Sequence, residues 1–323
     1  MYFVMAFVAL VIDRAVVWPD WLGRIFSHPV VWQGKLIEIM ETRFNRSEFS
    51  GRTRRLLGLL MLTVLVGTTL FISLVIVRAL ALLPYGWLIE ALLASVFLAH
   101  RSLAEAVTKI ADTLDISIEQ GRVALSHIVG RDTANLNEHE IARAAIESLA
   151  ENSSDGVIAP LFWLVLFGLP GIAIYKAINT ADSMVGHKNL RFVDFGWASA
   201  RLDDVVNWLP ARLSALLYVL ASFFVHGASP SKSLDTARRD ASGHVSPNAG
   251  WPEAAMAGAL GFSLGGPRSY QGKMLDLAIM GDGKRELEAS DIRLALKLFA
   301  AMTLLAMFVV ALATLFQFGQ FAL

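Results

Sequence analysis

The sequence predicts an all-α, polytopic helical membrane protein, and three observations predict it. Of 323 residues, 55% are hydrophobic and 17% are charged, against roughly 25% charged in soluble domains, and the mean hydropathy is +0.54. Apolar runs such as Leu56–Leu83 and Leu294–Leu323 exceed the about 20 residues that a helix needs to cross a hydrocarbon core. Charge is gathered into the segments between such runs instead of being spread along the chain.

The elements follow in order. Residues 1–17 form a first apolar helix, interrupted by Asp13 and Arg14; without a basic leader or a small-residue cleavage site it is expected to be retained. Residues 19–55 are polar and rich in Arg. Helix two covers 56–83 and ends at Pro84, and helix three covers 86–104 with Trp87 as an interfacial anchor. The Arg and Lys excess in 19–55 and beyond helix three places both in the cytoplasm.

Residues 105–156 are polar and helical in pattern. Ala104–Leu114 and Glu138–Ala150 carry apolar positions at three-to-four spacing, which predicts amphipathic helices on the cytoplasmic side. In 157–178, Pro160, Gly168, Pro170 and Gly171 divide the apolar run in two. A continuous span is one reading. A re-entrant helical hairpin turning near Gly168–Gly171 is favoured, because it returns the chain to the side it came from; such broken backbone must be buried in protein or line a cavity. A helix over 205–226, a turn-rich segment 227–250, a short Ala- and Gly-rich helix from Trp251, a polar stretch 266–293 and a final helix complete a single integral-membrane domain, 1–323. No internal repeat is visible.

Several function classes fall away. Net charge is zero, so no basic field invites nucleic acid, and the absence of cysteine excludes disulfides and thiolate chemistry. Seven histidines without HxxxH or HExxH spacing argue against zinc. Gly281-Asp282-Gly283-Lys284 lacks the phosphate-loop spacing and reads as a turn.

Polar residues concentrate between Glu147 and Arg212, where ionisable groups at a membrane border mark a functional site by default. Arg143, Glu147 and Glu151 share one helix face, either as a salt-bridge ladder or as part of a site with Asn152 and Asp155. A helix end and an Asp155-Gly156 turn there would offer oxygens to Mg²⁺. Arg201-Leu-Asp203-Asp204 is a second cluster. One aspartate there suits a helix cap, whereas two adjacent carboxylates call for a cation, and Asn207 lies on the same face as Asp203. Lys188, Arg191 and Arg201 could clamp phosphate, with lipid-headgroup contact the simpler reading for Arg191. Arg238-Arg239-Asp240 with Ser246–Glu253 is a third set, either an anion- or amide-binding patch or a structured turn.

The stretches ESLAENSSDGVIAPLFW, YKAINTADSMVGHKN, DFGWASARLDDVVNWLPAR and RRDASGHVSPNAGWPEAAMAGAL, with the early DWLGRIFSHPVVWQGKLIEIMETRFNR, together resemble the CobD/CbiB family of adenosylcobinamide-phosphate synthases. The resemblance covers nearly the whole chain. It departs at Asp13–Gly23, where the family's Gly-Asp-Pro turn is blurred, with an expected effect on local packing.

The resemblance implies an amide ligase of cobalamin biosynthesis. It would join adenosylcobyric acid to (R)-1-amino-2-propanol O-2-phosphate or a related amino alcohol, using ATP and Mg²⁺ through an acyl phosphate. Under it, Glu147, Asp155, Asp203 and Asp204 would bind metal or take the proton of the attacking ammonium, and Lys188, Arg201 and Arg238 would hold phosphates. Glu147, Asp155, Lys188, Arg201 and Asp204 are then the catalytic candidates, and Asp155, Asp203 and Asp204 the metal candidates. Asn152, Asn179, Asp182, Asn207, Arg238 and Asn248 are candidates for substrate or nucleotide contacts. Trp163, Trp197 and Trp208 would wall an amphipathic corrin or serve as interfacial anchors. The same resemblance implies a bacterial inner-membrane location with a cytoplasm-facing site, and as partners a homo-oligomeric copy or other late cobalamin enzymes. A corrinoid transporter and a non-catalytic scaffold are the competing readings.

Overall fold

The computed structural model describes residues 2–15, 28–270, 273–275 and 277–321. Residues 16–27, which hold most of the family departure and the start of the polar segment, lie outside them. The chain is helical almost throughout, and five helical runs are long and apolar enough to cross a membrane: Gly51–Leu80, Gly86–Leu114, Glu138–Val185, Trp197–Phe224 and Ala289–Gln317. The all-α polytopic class is as the sequence predicts.

The helices are α1 (Tyr2–Ala15), α2 (Pro29–Phe44), α3 (Gly51–Leu80), α4 (Gly86–Ser95), α5 (His100–Leu114), α6 (Ile118–Ser126), α7 (Glu138–Ser153), α8 (Ala159–Val185), α9 (Trp197–Ala221), α10 (Pro230–Asp240), α11 (Gly250–Leu260) and α12 (Ala289–Phe321). Their starts are set locally by caps. Ser50 accepts from the Thr53 N–H, His28 from Val30 ahead of Pro29, and Asn137 forms a reciprocal capping box with Glu140. The polar 266–293 stretch holds two short antiparallel pairs, Leu264–Gly265 with Ile279–Met280 and Arg268–Tyr270 with Lys273–Leu275. The Gly281–Lys284 segment is a bend, as its composition suggests.

The chain forms two compact units. The first comprises Met1–Ala99, Ala159–Asn207 and Val310–Leu323, the second His100–Ile158 and Trp208–Val309.

In the first unit, Ile37, Met61, Leu65, Ala177, Ala181 and Phe195 form a core that α2, α3, α8 and the loop before α9 share. Gly58 lets α3 meet that loop at backbone distance, because a Cβ there would lie 1.8 Å from the Phe195 carbonyl oxygen. The expected hairpin is present in α8. Gly168 has φ 65° and ψ −154°, a conformation open only to glycine. Beyond it, a Cβ on Gly171 would meet the Trp163 carbonyl oxygen at 2.4 Å. Eight residues along an unbroken helix lie about 12 Å apart, so the chain bends back on itself at Gly168. Tyr2 fills the outside of the turn, with its ring against Gly168.

Three expectations need correction here. Helix two begins at Gly51 instead of 56, since Arg54 and Arg55 spend their charge on the loop carbonyls of Leu190 and Arg191 and on Asp194. Helix three ends at Ser95, and α5 restarts at His100. Arg191 does not reach for lipid headgroups: its guanidinium makes a two-bond fork with Glu41, Nε to Oε1 at 3.0 Å and Nη2 to Oε2 at 2.8 Å.

Burial alone would raise the Glu41 carboxyl, but the hydrogen bonds from Arg191 and Asn45 and the guanidinium charge outweigh it and hold it below its ordinary 4.5. A depressed carboxyl contributes stability above its unfolded value and loses it as pH falls through the folded one. The stability gap between wild type and Arg191→Met is therefore expected to be full above pH 4.5 and to close below it. Thermal unfolding in detergent across that window checks this; a gap independent of pH would refute it.

In the second unit, α7 is buried along most of its length, with Ile141, Ala145, Ile146 and Leu149 fully enclosed. It does not end at Asp155. Ser154–Ile158 form one widened π turn that carries the helix on. The expected helix end with free carbonyls is therefore absent, although π turns do recur at functional sites.

Candidate functional site

Within the first unit, the polar ends of α8 and α9 bring together five of the residues singled out from sequence. On α8, Tyr175, Asn179 and Asp182 recur at four and three residues and so share a face; on α9, Asp203 and Asn207 stand four apart on one face, with Asp204 next to Asp203. The Asn179 amide donates to Asp203 Oδ1 at 3.4 Å, and Lys176 Nζ donates to Asn179 Oδ1 at 3.4 Å. Deeper, the Tyr175 hydroxyl donates to Asn207 Oδ1 at 2.9 Å. Asn207 is buried and its amide nitrogen has no hydrogen bond in good geometry, although it lies near enough to Asp203 to act on that carboxylate.

The electrostatics are uneven. The charges of Asp182 and Asp204 act on the buried Asp203, and Asp204 acts on Asp182. Arg201 and Lys188 act on Asp204 from exposed positions. Three carboxylates thus converge with two solvent-facing cations beside them.

Among the described residues, no three His, Asp or Glu side chains stand together in a metal-holding geometry. Mg²⁺ takes one or two carboxylates and completes its shell with water and substrate phosphates. Asp203 and Asp204 fit that role. Asp155 belongs to the second unit, on the π turn.

The second unit holds the remaining candidates. Glu147 is 2% exposed, pairs with Arg131 through Oε2 and accepts the Gly265 N–H at Oε1. The expected ladder with Arg143 gives way to this pair, and Arg143 donates instead to the Arg285 carbonyl. Asn152 donates back to the Ser148 carbonyl, one turn earlier on the same helix, at 2.8 Å. Arg239 forks onto Asp240, which also accepts the Gly281 N–H; these bonds hold the Asp240 carboxyl below its usual range. The Arg239–Asp240 pair is thus the structured turn of the two readings offered. Arg238 beside it is exposed and without an ion pair among the described residues. Asn248 is buried and accepts from Arg212.

An apolar cavity of about 480 Å³ in the first unit is lined by Tyr2, Leu74, Glu90, Trp163, Phe167 and Ile178, among others. Glu90 supplies the only acid there, so its chemistry does not suit polyanionic substrates, and the candidate site is the carboxylate cluster. Trp163 belongs to this interior and donates to the Val206 carbonyl, whereas Trp197 and Trp208 are exposed.

Sequence reasoning missed Lys176, Tyr175 and Arg131. Tyr175 and Lys176 stand in the quoted YKAINTADSMVGHKN stretch, four and three residues before Asn179, and helical periodicity could have found them.

Comparison with known proteins adds a family. Residues 6–299 match the family model described as "CobD/Cbib protein". A relative from Sinorhizobium sp, "Cobalamin biosynthesis protein CobD", is 48% identical over 310 residues, 94% of this chain and 96% of its own length. Proteins of the same name from Rhizobium meliloti (strain 1021) and Rhodobacter capsulatus are 46% and 47% identical, each covering 95% of their own length. No solved structure matches.

Proposed function

The chain belongs to the CobD/CbiB family and so to cobalamin biosynthesis, and from that premise we propose that it is a membrane-embedded, ATP-dependent amide ligase. The substrates are adenosylcobyric acid and (R)-1-amino-2-propanol O-2-phosphate or a related amino alcohol, and the product is adenosylcobinamide phosphate. The observation that carries this reading is the convergence of Asp182, Asp203 and Asp204 beside Lys188 and Arg201.

A carboxylate is a poor electrophile, so the propionate must be activated. Transfer of the ATP γ-phosphoryl to it yields an acyl phosphate and ADP. The amine then attacks the carbonyl carbon, its proton leaves to a carboxylate, and inorganic phosphate departs. Lys188 and Arg201 hold phosphate oxygens and offset the charge that develops in transfer. Asp204, flanked by both cations, takes the ammonium proton. Asp203, fixed by Asn179, orients the cluster. Asp203 and Asp204 would hold Mg²⁺, which would neutralise phosphate charge. Glu147 and Asn152, both engaged in the second unit, support the fold there. The site faces the cytoplasm of a bacterial inner membrane, where ATP is available.

The test is amide formation by purified, detergent-solubilised protein with corrinoid, aminopropanol phosphate, ATP and Mg²⁺, followed by mass spectrometry. Amidated corrinoid that requires ATP is the expected result. Folded protein that binds the corrinoid and forms no product would instead support transport or scaffolding.

A further inference from the structure

Outside the carboxylate cluster, Arg212 has no carboxylate partner among the described residues. Arg212 lies on the part of α9 that belongs to the second unit. Its Cζ sits 4.2 Å from the Trp208 ring centroid and 4.8 Å from that of Trp251, over both rings. One nitrogen, Nη1, donates to the Trp208 carbonyl at 2.6 Å and to Asn248 Oδ1 at 3.3 Å. Among the described residues no carboxylate pairs with this guanidinium, and Nε and Nη2 have no protein acceptor. The whole arrangement is partly buried.

A cation held this way has already given up much of its hydration and its rotamer freedom. Two indoles supply cation–π attraction, worth about 0.5–1 kcal/mol each at exposed sites and more when desolvated. They do not neutralise the charge. The free Nε–Nη2 edge is the side of guanidinium that meets two oxygens at once. Trp251 is the second residue of α11, and its N–H bonds the Asn248 carbonyl, so one short segment carries both the ring and the amide that hold Arg212.

We propose that Arg212, set by Trp208, Trp251 and Asn248, is a binding site for a phosphate group, presented either by a phospholipid headgroup or by a water-soluble phosphate monoester. The fork takes two phosphate oxygens, and the indole of Trp208, 54% exposed, leaves the approach open from outside. O-phosphoethanolamine also belongs to the amino-alcohol phosphate class of the ligation reading, so only the part of its binding that is lost with Arg212 reports on this site.

The experiment uses the full chain in a phosphate-free maltoside detergent. Isothermal titration is run with O-phosphoethanolamine and, in parallel, with short-chain phosphatidylglycerol. Saturable binding of one probe is expected, with affinity falling at least about tenfold in Arg212→Gln, the scale of one charge-assisted bond of about 1.5–3 kcal/mol. Arg212→Lys keeps the charge and loses the fork, so it should bind with intermediate affinity if it folds as wild type by circular dichroism. Binding of phosphoethanolamine alone identifies a soluble ligand, and binding of the lipid alone a headgroup. Absence of saturable binding of either probe by wild type, or equal binding by wild type and folded Arg212→Lys and Arg212→Gln, would overturn the proposal.

Discussion

Asp204→Ala is expected to lower amide-forming turnover by about 10²–10⁴-fold, the range associated with loss of a positioned acid or base, while the protein still inserts and folds. The expectation rests on where Asp204 sits. It is only partly buried, at the polar end of α9, with the charges of Arg201 and Lys188 acting on it from one side and those of Asp182 and Asp203 on the other. Removing it deletes one carboxylate from the cluster without opening a core cavity. Val205, next along α9 and 70% exposed, is the matched control, and Val205→Ala should leave turnover within twofold. Asp204→Asn should behave like Asp204→Ala, since the shape is kept and only the charge and basicity are lost. Rates of product formation at saturating ATP, with circular dichroism to verify folding, decide the matter. Wild-type turnover in Asp204→Ala would remove the carboxylate cluster from the chemistry and leave the corrinoid-binding and scaffold readings standing.

How much of this could be read from sequence depends on the range of the forces involved. The Gly168 hairpin was legible because its cause is local: Leu-Phe-Gly-Leu-Pro-Gly cannot continue a helix, and only glycine takes that backbone conformation. The pairing of Asn179 with Asp203 was legible as a cluster, since both lie on quoted polar segments flanking a turn. Where the start of α3 was misplaced, the cause was tertiary. Arg52, Arg54 and Arg55 look like loop residues until the carbonyls of 190–191 and Asp194 accept from Arg54 and Arg55. The Arg191 fork onto Glu41 spans 150 positions, beyond any periodicity argument. Asp155-Gly156 reads as a turn in isolation, and α7 and α8 carry it as helix because the flanking helical segments on both sides outweigh a local preference.

Glu147 marks the sharpest divide between the two kinds of reading, and its partner supplies the largest expected effect on stability. Arg131 and Glu147 have side chains only 9% and 3% exposed, and the second Glu147 oxygen accepts the Gly265 N–H at 2.6 Å. Arg131→Met leaves the carboxylate buried without the guanidinium that pairs with it. Breaking one half of such a pair costs about 3–5 kcal/mol. Glu147→Gln should cost less, because the amide oxygen can still accept from Gly265 while its NH₂ faces the guanidinium. The double variant Arg131→Met, Glu147→Met removes both charges and should recover much of the loss, as buried pairs replaced by apolar groups often do. Denaturant or thermal unfolding of wild type, Arg131→Met, Glu147→Met and the double variant closes a double-mutant cycle whose coupling term measures the pair. Additive losses would show that the pair is not an energetic unit. The same variants separate structure from catalysis. If Glu147 serves only the fold, Glu147→Gln at a temperature where it is fully folded should keep near wild-type turnover, whereas a loss like that of Asp204→Ala would return Glu147 to the reacting groups.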